Sequence, residues 1–177
     1  MCTASIFPSA KATPDTFRPI ESGMTLFAMH YLIESTDQTI CFDTELMASQ
    51  GVAVAEMGTK IANVMSDVTS PYRFYSPMGI NMKQLKVHMG SFPRLHFYMP
   101  SMNATGCSDP DEALQQLFTN KESSLCVSDL SGKHFTQSVY LRAPKALLPY
   151  SRVNDAIQNI LAQGTLVQEQ GKEIIYA

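Results

Sequence analysis

Residues 47–68, MASQGVAVAEMGTKIANVMSDV, set the expected architecture. Their bulky apolar members Met47, Val54, Met57, Ile61, Val64 and Val68 recur at steps of three, four or seven. That spacing lines one face of an α-helix with core-forming side chains. Gly51, Ala55, Gly58 and Ala62 make a second stripe of small residues beside the first. A glycine inside a helix costs about 1 kcal/mol relative to alanine. A stripe of them therefore implies close approach of another backbone, such as a twisted sheet. Ser49, Glu56, Lys60, Asn63 and Asp67 occupy the far face, with Glu56 and Lys60 in the favourable i,i+4 order. One long helix over residues 47–68 is expected, ending before Pro71.

Around this helix the patterning predicts strands joined in hairpins. Residues 24–34, MTLFAMHYLIE, are apolar on both faces and predict a central strand, paired through a turn at 35–38 with residues 39–42. A short strand is expected at 72–75. Residues 85–89 and 95–99 alternate apolar and polar about Gly90, Ser91, Phe92 and Pro93, which predicts a hairpin with one wet face. Another hairpin is expected from 125–130 and 134–141, and a closing one from 165–169 and 172–176. Two shorter helices complete the set. One starts at Asp109-Pro110-Asp111-Glu112 and buries Ala113, Leu114, Leu117 and Phe118. The other starts at Ser151, buries Val153, Ala156, Ile157, Ile160 and Leu161, and ends at Gly164. Residues 1–23, with Pro8, Pro14 and Pro19, are expected to be extended or partly disordered, and 24–177 to form a single domain. The expected fold class is α+β: an antiparallel, hairpin-rich sheet packed on one long amphipathic helix plus two shorter helices.

Composition excludes several function classes. With 45% hydrophobic and 16% charged residues over 177 positions, the chain has the profile of an ordered globular protein. A net charge of -3 provides no electrostatic footprint for wrapping nucleic acid or coating an anionic membrane. No window of 18 apolar residues is present, and the N-terminus lacks a basic segment followed by an apolar run. A cytoplasmic location is expected. HExxH, GxGxxG, GxxxxGK[ST] and GxSxG motifs are all missing, and no cofactor is implied.

The candidate chemistry rests on few residues. Cys2, Cys41, Cys107 and Cys126 show no CxxC spacing. Cys107 lies just before a predicted helix start, a position that lowers a thiol pKa. Cys2, exposed after removal of Met1, would carry an amine able to act as base for its own thiol. The opening Met1-Cys2-Thr3 resembles the start of N-terminal-nucleophile amidases of the bile-salt-hydrolase kind. That resemblance spans three residues and implies a cysteine-nucleophile hydrolase. His88 and His96 fall on one polar face of the expected hairpin, where two imidazoles can share a metal, although no third ligand is visible beside them. Residues 151–177, helix then glycine-turn hairpin, resemble the recognition helix and wing of winged-helix DNA-binding proteins, with Arg152, Asn154 and Gln158 as the implied base-reading side chains. The leading expectation is a non-enzymatic protein–protein interaction module of the adaptor, inhibitor or immunity type. Its binding edge is expected at Ile174, Ile175 and Tyr176 of the last hairpin, where unpaired backbone groups at a sheet margin can take up another protein or a second copy of this chain. The hydrolase and the DNA-binding regulator are the alternatives.

Overall fold

The computed structural model describes residues 1–8, 19–74, 81–90, 92–103, 109–119, 123–126, 136–141, 150–162 and 172–176. In chain order these form β1 (Cys2–Phe7), α1 (Pro19–Ser35), β2 (Gln38–Asp43), α2 (Thr44–Ser49), α3 (Val54–Arg73), α4 (Met82–Met89), β3 (Phe97–Tyr98), α5 (Pro110–Thr119), β4 (Gln137–Leu141), α6 (Tyr150–Ala162) and β5 (Lys172–Tyr176).

The strands pair in parallel, which corrects the expected antiparallel, hairpin-rich sheet. One sheet has the order β1-β2-β3, the other β4-β5. Cys2 aligns with Gln38 and Phe7 with Asp43, while Thr39 and Ile40 align with Phe97 and Tyr98. Gln137 aligns with Lys172 and Leu141 with Tyr176. Parallel neighbours need a crossover between them, and α1 provides it between β1 and β2. Residues 24–34 are therefore helix, not a central strand. An apolar run buried on both sides reads alike in a core strand and in a helix hydrophobic all round. Residues 2–7 of the N-terminal segment form β1, and residues 9–18 lie outside the described set.

The expected single helix over 47–68 is two. Asp43 accepts from the backbone N–H groups of Glu45 (2.9 Å) and Leu46 (3.0 Å) and starts α2. The chain then breaks at Gly51, whose φ of +79° suits glycine and few other residues. α3 starts afresh at Val54 and runs through Pro71 to Arg73, so of the strand expected at 72–75 the first two residues are helical, Phe74 is the C-cap and residue 75 lies outside the described set. Most of the seam holds. Met47, Met57 and Val64 join Ile40, Phe42, Val52 and Leu125 in the main core, with Ile61, Met65, Val68 and Met102 packed against it. Val54, also expected in the seam, stands exposed. The small-residue stripe does not touch the sheet: Ala55, Gly58 and Ala62 face solvent, and a Cβ on Gly58 would meet nothing within 4 Å.

The hairpin expected over 85–99 also gives way. Residues 85–89 lie in α4, whose start is marked by the Asn81 N–H donating to Gln84 Oε1 at 2.8 Å. A tight turn follows, closed by Leu95 N–H to Phe92 C=O at 3.2 Å with Arg94 at φ 76°, and leads into β3. The two shorter helices form where expected. α5 and α6 build a second core from Leu114 and Ala156, joined by Leu117, Phe118, Val139, Leu141 and Ile157. Of the hairpin expected at 125–141, residues 127–135 lie outside the described set, and β4 pairs with β5 instead. The first arm of the closing hairpin, 165–169, lies outside the described residues as well.

The two helix-associated glycines should respond with opposite signs. Gly58→Ala adds a methyl in open space within a helix and is expected to stabilise the fold by about 0.5–1 kcal/mol. Gly51→Ala forces a side chain into the left-handed region and is expected to cost about 1–2 kcal/mol. Urea unfolding of both variants checks the pair; a shared sign would remove the assigned break between α2 and α3.

Candidate functional site

Buried polar side chains gather where the C-terminal end of α1 meets the sheet. Thr36, Thr39 and His96 are buried there, with Thr3 half-buried alongside. The Thr36 hydroxyl donates to the Leu32 carbonyl at 2.6 Å. His96 Nε2 lies 3.1 Å from that same carbonyl and 3.1 Å from Thr36 Oγ1. A carbonyl only accepts, so the contact requires the proton on Nε2. Thr39 Oγ1 continues the chain to Thr36 at 2.9 Å and to Thr3 at 3.1 Å. The Thr39 N–H donates to the His96 carbonyl at 2.8 Å, and the imidazole stacks on Phe97 at 4.8 Å. Through its ring and its backbone carbonyl, His96 thus ties α1, β2 and β3 together. Its ring nitrogen is engaged in structural bonds, so this histidine works as a clamp.

The opposite face of the sheet holds Cys2, Gln38 and Tyr98. Burial raises the Tyr98 hydroxyl pKa. Gln38 is a polar neighbour that opposes the shift, although neither Gln38 Nε2 nor the Tyr98 hydroxyl completes a hydrogen bond. Burial also raises the Cys2 thiol, against the opposing pull of the N-terminal ammonium. A nucleophilic cysteine needs its pKa lowered, and with Met1 in place burial moves Cys2 the other way. Cys41 is pushed up to about 12 by burial, with Cys126 adding to the rise. Cys107 lies outside the described residues.

At the rim, the Asp37 carboxylate pairs with both the Met1 ammonium and Lys86 Nζ. These bonds, Lys86 first, lower its pKa from 3.8 to about 2. His88 sits exposed on α4 while His96 is buried before β3, so the shared face expected to bring them together is not built. Among the described residues no group of three His, Cys, Asp or Glu side chains is placed to hold a metal. In α6, Arg152 lies 3.6 Å from the Asp109 carboxylate, and Asn154 and Gln158 are exposed. The strand after α6 pairs in parallel with β4, which is not the wing of a winged helix. Ile174, Ile175 and Tyr176 lie in β5 against Val139, Tyr140 and Leu141. No local pattern marks Thr36, Thr39 and His96 as a unit, because His96 meets Leu32 and Thr36 from 64 and 60 positions away. The pair Asn81 and Gln84 was the local signal available for α4.

No family model matches the chain. It is 27% identical over 176 residues to a tubulin beta chain of Pleurotus sajor-caju, covering 90% of this chain and 38% of that protein. It is 26% identical to the tubulin beta chain of Enteroctopus dofleini, with 90% and 38% covered. Against that of Pyropia yezoensis it is 26% identical, with 89% and 37% covered. The chain therefore spans somewhat over a third of the length of the curated relatives it matches. Similarity running along nearly all of this chain overturns the expected adaptor, inhibitor or immunity-type module, together with the hydrolase and DNA-binding alternatives. Among the described residues no helix is long and apolar enough to cross a membrane.

The rim and the clamp each have a direct test. Because the folded-state pKa of Asp37 is depressed, its ion pairs stabilise the fold above about pH 4 and are lost as pH falls through about 2. In Lys86→Met the Asp37 carboxyl, followed by carbon NMR, should titrate closer to 3.8; an unchanged midpoint would separate Lys86 from the shift. Thr36→Val leaves His96 short of one partner and is expected to cost about 1–3 kcal/mol in thermal unfolding.

Proposed function

We propose that this chain is a tubulin-like cytoskeletal protein that works by assembling with tubulin-type subunits, with GTP as the ligand of that assembly and the cytoplasm as its location. The observation that carries the reading is the continuous similarity to tubulin beta chains over 90% of this chain. The parallel β-α-β arrangement of β1, α1 and β2 supports it, since open parallel sheets take ligands in the crevice outside the carboxyl ends of their strands. The described residues do not make a nucleotide cradle on their own. The carboxyl ends of β1 and β2 carry Phe7 and Asp43, and the Asp43 carboxylate is used in capping α2. The sequence also lacks GxxxxGK[ST]. No step of nucleotide chemistry is therefore assigned to these residues, and GTP would be held by a companion subunit or by residues beyond the described set.

Ultracentrifugation of the purified chain with polymerising tubulin and GTP tests the proposal. The chain should enter the pellet in proportion to polymer, and remain in the supernatant when tubulin is kept unassembled on ice. A chain that stays in the supernatant while tubulin pellets would overturn the reading.

A further inference from the structure

The outward face of α1 carries an uncovered apolar stripe. Ile20, Met24, Phe27 and Tyr31 are spaced by four, three and four residues, which places all four on one side of the helix. Each is between 68% and 75% exposed. The helix contains no Lys, Arg or Asp from end to end, and its charged residues, Glu21 and Glu34, lie outside the run of four. Large apolar side chains with little charge among them are the composition of an interface core. Gly23 sits beside the stripe, in the helix interior, with nothing within 4 Å of where its Cβ would be. Among the described residues no contact accounts for a glycine there. A notch beside an apolar ridge suits a second helix laid against it.

We propose that this stripe is a self-association surface, occupied by α1 of a second copy running antiparallel. The stripe has the symmetry that such a pair demands. About a twofold axis between positions 25 and 26, Ile20 faces Tyr31 of the second copy and Met24 faces its Phe27, and the reverse contacts follow automatically. Every member then has an apolar partner, as an isologous interface requires. The alternating four-and-three spacing is also the one with which paired helices interlock side chains. Phe27 and Tyr31 at roughly 150 Å² each, with the smaller Ile20 and Met24, cover on the order of 500 Å² per copy, at or just below the low end of specific interfaces. The dimer is therefore concentration-dependent, not obligate. This inference stands on α1 alone and is independent of the tubulin-like reading, since pelleting with polymer does not report on it.

Sedimentation equilibrium of the full chain over ~1–100 µM tests it. The average mass should rise from 19.6 kDa towards twice that value. Phe27→Glu should weaken association at least ~10-fold. Leu26→Glu changes a neighbour that is 71% exposed but lies off the stripe, and should leave association unchanged. Matching thermal melts for the two variants establish that both remain folded. For the register, Met24→Cys chains mixed with Phe27→Cys chains should form a disulfide-linked dimer faster than Met24→Cys chains alone. A monomer at every concentration, or equal effects of the two glutamate variants, would overturn the surface. Faster linkage of Met24→Cys chains alone would overturn the antiparallel pairing.

Discussion

Strand β2 is buried along its whole length and on both faces, from Gln38 to Asp43, and the arrangement of its neighbours follows from that. A strand in this position must send alternate side chains into two separate packing layers. Ile40 and Phe42 enter the apolar core built by α2 and α3. Thr39 enters a polar layer, where hydroxyls of Thr3 and Thr36 and the His96 ring meet at the end of α1. Asp43 closes the strand by capping α2. Burying polar groups in mid-sheet is tolerable only when they are hydrogen-bonded, and the layer around Thr39 meets that condition. On the opposite face of this sheet Gln38 Nε2 and the Tyr98 hydroxyl are both buried without a partner.

The two sides of the β1-β2-β3 sheet are not covered equally. α3 presents an amphipathic face: Met57 and Val64 lie inward and Gly58 and Ala62 outward. α1 has no such division. It is joined to the sheet near its C-terminus by Leu32, Thr36 and His96, while Ile20, Met24, Leu26, Phe27 and Tyr31 are left exposed. A helix hydrophobic all round is ordinarily buried, and this one is exposed along one side.

Among the described residues, the surroundings of Cys2 and Cys41 do not favour the thiolate. Cys2 and Cys41 both shift upward through burial, the direction that keeps a thiol protonated and inert. The histidine nearest the sheet spends its Nε2 on a threonine and a backbone carbonyl. The chemistry of the described residues is thus cohesive: it holds elements together.

By itself the sequence determined the features that depend on near neighbours. The start of α5 at Asp109-Pro110, the buried faces of α5 and α6 through Leu114, Val153 and Ala156, and the α3 seam through Met57 and Val64 were all readable from spacing. The tertiary structure alone decided whether residues 24–34 became helix or strand, because an apolar run without periodic polar positions is compatible with both. It also decided that the strands run parallel, since that pairing is set by partners 35 or more residues apart, as Thr3 and Thr39 are. Gly51 lay within a good helical pattern, and only the packing of Met47 and Val52 into one core required the chain to break there. Local period specifies which side of an element is apolar; which element stands opposite that side is a property of the folded chain.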